Sequence, residues 1–256
     1  MDKYHFIIDK INKNKKLEKI FLKKYKNHPP HLSTIFVVLG GDGFMLHTLK
    51  KYQKYNKPFY GINRGTFGFL MNKFKTYDIS KIISKTNQVS ISPLEMKAQT
   101  YADRTFSAIA INEISLLRQT RQTASLQIIC GSKTLIKNLI CDGVLISTPA
   151  GSTAYNLSVS GPILPLYSKK LAITPISPFR PRRWKGKIVG SKTLIKIKNL
   201  NVQKRSVSVV ADNIEVRNIR NVKIKVNNTI KFKLLYDKGN SLIKKIKLEQ
   251  LKKKTN

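Results

Sequence analysis

Acidic residues are scarce in this chain: its 256 residues hold 13 Asp and Glu against 49 Lys and Arg, a formal net charge of +36 at pH 7. Cysteine is scarcer still. Cys130 and Cys141 stand in apolar strand-like runs, without a CxxC neighbour or nearby histidines. That argues against a zinc site and for buried free thiols in a reducing cytoplasm. No apolar run reaches the roughly 18 residues of a membrane-crossing helix. Met1 to Lys10 lacks the basic, apolar and small-residue order of a secretion signal, so neither a membrane partner nor export is expected. Lysine far outnumbers arginine and is spread along the whole chain, as drift towards AT-rich codons would leave it. A basic chain is also what a nucleic-acid or anionic-membrane partner selects, but without a concentrated block no specific nucleic acid is expected. The scarcity of acids has a use: an acid kept inside an apolar or glycine-rich stretch stands out, and Asp42, Glu113 and Asp142 do so.

The first of these organises the chain. Val37-Val38-Leu39 runs into Gly40-Gly41-Asp42-Gly43, and Met45, Leu46 and Leu49 follow at helical spacing. Strand, glycine turn and helix is the arrangement in which a parallel α/β sheet offers backbone N–H groups to phosphate. Glycine allows a sharp turn and a close approach of ligand to backbone. An acid there repels phosphate, so it makes sense as a base or through a metal ion; an ordinary turn with a solvated Asp is the alternative. Pro58 to Ile62 reads as a second strand, ending in Gly61-Ile62-Asn63-Arg64-Gly65-Thr66-Phe67-Gly68. Two such parallel strands put both loops at one carboxyl edge, where α/β ligands bind.

The length fits one large domain or two modest ones. Tyr4 to Ile8 reads as a strand, Asn14 to Lys26 and Phe44 to about Tyr55 as helices, and Asp78 to Ser84 as a short helix. Past about Ser90 strand-like segments alternate with turns: 95–101, 105–111, 125–130, 139–147, 170–174, 194–198, 207–210, 222–226 and 230–236. The expected fold is therefore α+β in two domains. A Rossmann-like α/β domain at 1–90 carries GGDG, and an antiparallel β domain at 91–237 follows. A C-terminal helix over Ser241 to Lys253 returns to the first domain, so that about 238–256 completes it. The heptapeptide GSKTLIK occurs at 131–137 and again at 190–196, but it lacks the glycine spacing and following helix of a phosphate loop; both copies read as a turn entering a strand.

Two further motifs suit a nucleotide. Asn112-Glu113 sets an amide, which can both donate to and accept from an adenine edge, beside a carboxylate that can accept from ribose hydroxyls; alone, the pair is a common turn. The run Cys141 to Ser158, CDGVLISTPAGSTAYNLS, takes an acid-bearing strand into a cluster of small hydroxyl residues around Pro149 and Gly151. Small residues admit a flat ring, and hydroxyls and free N–H groups bind sugar or amide atoms.

With GGDG at 40–43, NRGTFGFL at 63–70, NE at 112–113, DGVLISTPAGSTAYNLSVSGPI at 142–163, ITPISPFRPRRW at 173–184 and VSVVADNIEVRN at 207–218, the chain resembles the bacterial NAD kinases over essentially its whole length. GGDG alone is shared with lipid kinases and phosphofructokinases; the ordered set is far more discriminating. The resemblance implies transfer of the γ-phosphoryl group of ATP to the 2′-hydroxyl of the adenosine ribose of NAD, with Mg²⁺ or another divalent cation accompanying ATP. It implies Asp42 as catalytic base and, with Gly43, as a cofactor-binding residue, with Asn112 on adenine and Glu113 on the ribose. Thr153, Ala154, Tyr155, Asn156, Leu157 and Ser158 fall at the NAD pocket. Asp142 matches the family acid near the nicotinamide end, contributed across a subunit contact of a homo-oligomer, dimer or tetramer. His47 falls at a variable ligand-proximal position, or is a solvent-facing helix residue. No dedicated metal site of the protein is implied. Another GGDG-type lipid or sugar kinase, or a basic nucleic-acid-binding protein on a kinase fold, are the alternatives.

Two departures stand out. Phe179 stands where many family members have His, and Ala150 where Thr is frequent. Arg180, Arg182 and Arg183 are conspicuous in a lysine-rich chain, and their planar forks suit a phosphate or a subunit contact through acids such as Asp212 or Glu215.

Overall fold

A computed structural model describes residues 2–10, 15–65, 68–75 and 78–239. Two compact units result: Met1–Ile91 together with the segment from Ile230, and Ser92–Thr229. The first runs β1 (Tyr4–Ile8), α1 (Lys15–Lys24), β2 (Ile35–Gly40), α2 (Asp42–Tyr52), β3 (Pro58–Asn63), β4 (Asn72–Lys73), α3 (Ile79–Ile83) and β5 (Asn87–Ile91). The second runs β6 (Leu94–Thr100), β7 (Thr105–Ala110), β8 (Glu113–Arg118), β9 (Ala124–Cys130), β10 (Lys133–Cys141), β11 (Gly143–Ser147), α4 (Tyr155–Ser158), β12 (Lys170–Ile176), β13 (Lys187–Gly190), β14 (Ile195–Asn199), β15 (Val207–Ala211), β16 (Ile214–Val216) and β17 (Ile219–Val226). Then β18 (Phe232–Tyr236) returns to the first unit. This is the expected α+β pairing of an α/β unit with an antiparallel β unit. The helix expected over Ser241 to Lys253 lies outside the described residues.

In the first unit the strand order is β1-β2-β3-β18-β5, with β4 beside the end of β3. All pairs are parallel except β18 with β5. Every residue of β2 is buried, as befits a strand covered on both faces. Val37 and Leu39 join Phe6, Tyr60 and Ile62 in one apolar cluster with Leu17 and Phe21 of α1. Phe36, on the alternate face, is ringed by Tyr52, Tyr55 and Phe59. The sequence reading assigned 230–236 to the β domain; β18 instead pairs with β3 and β5 in the first sheet. An isolated apolar run shows its period but not its partner, which is why the sequence misplaced it.

The second unit is two antiparallel sheets, β10-β9-β14-β17-β6-β7 and β13-β12-β11-β8-β15-β16, sharing one apolar core. Strict alternation places residues in that core: in β6, Leu94, Met96 and Ala98 are buried while Lys97 is exposed. The stretch 139–147, read as one strand, is two. It breaks at Asp142, with β10 in one sheet and β11 in the other. Apolar residues on both sides of the crossing hide it from the sequence. Both heptapeptide copies do enter strands, the first through Gly131 at φ +61°. Cys141 is buried, but Cys130, expected to be buried too, is only half-buried at a strand end beside that turn. Among the described residues no helix is long and apolar enough to cross a membrane.

The outer face of the β10-to-β7 sheet carries a physical conflict. Lys196 lies opposite Lys223, and Lys223 opposite Lys97, so three lysines share one row across adjacent strands. Like charges directly opposite destabilise a sheet, and a polyanion would relieve them. The expected result is weak binding of duplex DNA, roughly micromolar or weaker, falling steeply with salt and indifferent to sequence. Fluorescence anisotropy with two unrelated duplexes at two salt concentrations checks it; tight, sequence-selective binding at physiological salt would contradict it.

Candidate active site

In the first unit the loops after β2 and β3 lie side by side, as expected: Gly40 pairs with Asn63, and the Arg64 N–H donates to the Gly40 carbonyl at 2.9 Å. Asp42 is the first residue of α2, earlier than the Phe44 start read from the sequence. None of the GGDG glycines has a positive φ, and Gly41, at φ −105° and ψ −179°, is in extended backbone that any residue adopts. The sharp-turn explanation of these glycines is therefore corrected. A β-carbon at Gly41 or Gly43 would meet nothing within 4 Å, so what these positions provide is open approach to the helix N-terminus.

The Asp42 carboxylate is aimed by backbone. The Phe69 N–H donates to Oδ2 at 2.7 Å and the Leu70 N–H to Oδ1 at 3.1 Å. Beyond this loop, buried Asn72 donates to the Leu235 carbonyl at 2.8 Å and accepts from the Asp237 N–H at 3.0 Å. Asp237 in turn accepts from the Tyr60 hydroxyl at 3.1 Å and pairs with Lys75 at 2.8 Å. These bonds fasten the segment that holds Asp42 to β18. Burial, helped by the Asp42 charge, pushes the Tyr236 phenol above its ordinary range. His47 is exposed on α2.

In the second unit Asn112 lies in the short connection after β7, and Glu113 is the first residue of β8. Asn112 Oδ1 and Glu113 Oε2 are buried and have no hydrogen-bond partner in the described protein. Leaving such atoms unpaired is costly, and a ligand with complementary donors removes the cost. Burial first, then the nearby Asp212 charge, raises the Glu113 carboxyl from 4.5 to about 7. The neutral form is thus favoured in the fold, and its contribution to stability is present below about pH 4.5 and lost as pH rises through about 7. Glu113→Gln cannot ionise. We expect wild type to lose about 3 kcal/mol relative to this variant between pH 4.5 and 8. Denaturant titrations of both proteins at the two pH values measure it, and equal pH dependence would contradict it.

The small-residue run folds against the same turn. The Thr148 hydroxyl donates to the Ile111 carbonyl at 2.7 Å, the Thr148 N–H donates to the Asn112 carbonyl at 2.9 Å, and the Gly151 N–H donates to the Thr148 hydroxyl at 3.1 Å. A β-carbon at Gly151 would lie 2.2 Å from the Asn112 carbonyl oxygen, so only glycine fits. Thr153 is buried, Ala154 and Leu157 are half-buried, and Tyr155 and Ser158 of α4 are exposed. Asn156, read with them as a pocket residue, is fully buried, and protein takes up its amide. The Asn156 Nδ2 donates to the Ser152 and Pro162 carbonyls, and Oδ1 accepts from the Thr174 hydroxyl at 2.7 Å. It fastens the run to β12.

Asp142, at the crossing between sheets, accepts from Arg118 Nε at 2.6 Å, a half-exposed ion pair. Arg180 and Arg182 lie over the Phe179 ring at 5.3 and 5.8 Å. The acids named as possible partners for these arginines are engaged within the chain: Glu215 with Arg217, and Asp212 with backbone N–H groups. Among the described residues no three His, Cys, Asp or Glu side chains gather where they could hold a metal ion.

The supporting roles of Asp212 and Asp237 do not follow from the sequence reading; each directly follows an apolar strand run, after Ala211 and Tyr236, and the scarcity of acids is the signal that could have marked both.

In the first unit, an acid held after two glycines at the carboxyl edge of a parallel sheet suits phosphate chemistry; in the second, an unsatisfied amide and carboxyl suit a nucleotide. Comparison with known proteins narrows this. Residues 3–90 match the ATP-NAD kinase N-terminal domain and residues 111–241 the ATP-NAD kinase C-terminal domain. The NAD kinase of Rhizorhabdus wittichii is 45% identical over 228 residues, covering 88% of this chain and 89% of that protein. In fold, the chain is similar to yeast NADH kinase, solved with NADH (TM-score 0.80, 19% identity, 96% of this chain and 86% of that one). It is also similar to an NAD kinase from Archaeoglobus fulgidus, solved with ATP (TM-score 0.75, 21% identity, 96% and 98%). This chain belongs to the ATP-NAD kinase family.

Proposed function

We infer that this protein is an ATP-dependent NAD kinase, transferring the γ-phosphoryl group of ATP to the 2′-hydroxyl of the adenosine ribose of NAD to make NADP. The observation that carries the site assignment is the pair of buried, unpartnered atoms Asn112 Oδ1 and Glu113 Oε2. Adenine offers its exocyclic amine to such an amide oxygen, and a ribose offers hydroxyls to such a carboxyl.

In the mechanism we propose, Asp42 takes the proton of the attacking 2′-hydroxyl, an alcohol too weakly acidic to react unaided at neutral pH. The backbone N–H groups of Phe69 and Leu70 hold the carboxylate in one orientation. Phosphoryl transfer otherwise needs alignment and neutralisation of charge. The open backbone at Gly41 and Gly43 admits phosphate to the N-terminus of α2, whose N–H groups favour anions. A divalent cation accompanying ATP would neutralise phosphate charge, held through the phosphates and water. Thr153, Ala154, Tyr155 and Ser158 line the NAD pocket, and Gly43 and His47 lie on the phosphate side. Asp142 acts near the nicotinamide end within a homo-oligomer, in the cytoplasm. In such an assembly its Arg118 partner would hold it ready.

The test is incubation of purified protein with NAD, ATP and Mg²⁺, followed by an NADP-specific dehydrogenase. NADP accumulating with time and enzyme concentration is expected; ATP turnover that ignores NAD would overturn the reading.

A further inference from the structure

We propose that Asp212 is a positioning residue for this reaction: its carboxylate clamps the backbone of Ile111–Glu113 and thereby aims Asn112 and Glu113 at the adenosine. The inference rests on the reading of that pair as the nucleotide-binding residues. Asp212 occupies the corner between β15 and β16 with φ +52°, a conformation Asp tolerates better than most residues. From there Oδ2 accepts the Ile111 N–H at 2.8 Å, and Oδ1 accepts those of Asn112 at 2.9 Å and Glu113 at 3.4 Å. Its own N–H donates back to the Glu113 carbonyl at 3.2 Å, so corner and turn are tied in both directions.

Three successive N–H groups turned towards one acceptor form an anion-binding concavity, and an amide or hydroxyl side chain has only one oxygen to offer it. The clamp also answers a geometric problem. Successive residues of a regular strand point to opposite faces, yet Asn112 and Glu113 are neighbours that both end in buried, unpartnered atoms. Holding 111–113 on a carboxylate keeps this stretch out of the ladder until β8 begins at Glu113. From the other side, Thr148 bonds to the carbonyls of Ile111 and Asn112, so the turn is gripped on its donors by Asp212 and on its acceptors by the small-residue run. The Asp212 charge also contributes, after burial, to the raised Glu113 carboxyl.

A purely structural acid and a positioning acid differ in which kinetic constant they move. Asp212→Asn keeps the shape but replaces one acceptor oxygen with an NH₂ that faces backbone donors. The expected result is a KM for NAD raised about tenfold or more, with the KM for ATP changed less than about twofold and cooperative thermal unfolding retained. In a Glu113→Ala background the same change should add much less, because the group it aims is gone. Asp212→Glu restores two oxygens on a longer chain and should recover part of the loss. It also carries the test if the Asn variant does not fold, by raising the KM for NAD more than that for ATP. An unchanged KM for NAD, equal shifts in both KM values, or full additivity with Glu113→Ala would overturn the proposal while wild-type NADP formation stands. Absence of NADP formation by wild type would instead remove the kinase reading on which it rests.

Discussion

Asp42→Asn should lower kcat by about 10²–10⁴-fold, the range for loss of a general base, while NAD still binds. The amide keeps the volume of the side chain and discards its basicity. The structure adds a second cost. Both carboxylate oxygens accept backbone N–H groups, from Phe69 and Leu70, so whichever position the NH₂ takes, a donor faces a donor. The side chain loses its fixed aim together with its basicity, and the loss should sit towards the upper end of the range. NAD affinity should change little, because the amide keeps the shape of the side chain and Asn112 and Glu113 are untouched. Steady-state kinetics beside equilibrium dialysis of NAD separate the two effects. A variant with near-wild-type kcat would show that Asp42 is not the base.

The next largest effect is expected at the NE pair. Glu113→Ala should reduce kcat and raise the KM for NAD together, because a carboxyl on the attacking ribose both binds and orients it; misplacement by about 1 Å costs on the order of 10²-fold. Asn112→Ala should act mainly on KM, since adenine lies away from the reacting oxygen. Neither change should cost much stability. The atoms removed include buried groups that no protein partner satisfies, and removing an unpaired polar atom relieves a penalty. Full kcat and KM determinations with thermal unfolding test this. Unchanged kinetics in both variants would reduce the pair to a turn.

Much of this was legible in the sequence because few acids compete for attention. In a chain of +36 net charge, an Asp between glycines or a Glu after an apolar run needs a reason to be there. GGDG, the loop from Asn63, the NE pair and the small-residue run were readable because glycines and hydroxyls interrupt apolar periodicity where backbone must meet something. What escaped was non-local. Nothing in the residues of 230–236 reveals that β18 joins the first sheet, since a strand's pattern does not name its partner. The crossing at Asp142 was hidden by apolar residues on both sides. The support of Asp42 was invisible because it consists of backbone N–H groups at Phe69 and Leu70, which have no side-chain signature. Asn156 sits inside the small-residue run, and its bonds to Ser152, Pro162 and Thr174 are equally non-local: the motif does not announce that its amide ties the run to β12.

The central claim is a bond made between a specific phosphorus and a specific oxygen, and label transfer tests it most directly. The purified chain is incubated with NAD and ATP labelled in the γ-phosphoryl group, with Mg²⁺, and the dinucleotide product is isolated. The account requires label in the 2′-phosphate of NADP in one-to-one ratio with ADP formed. ADP released without labelled NADP, or label at any other hydroxyl of NAD, would contradict it.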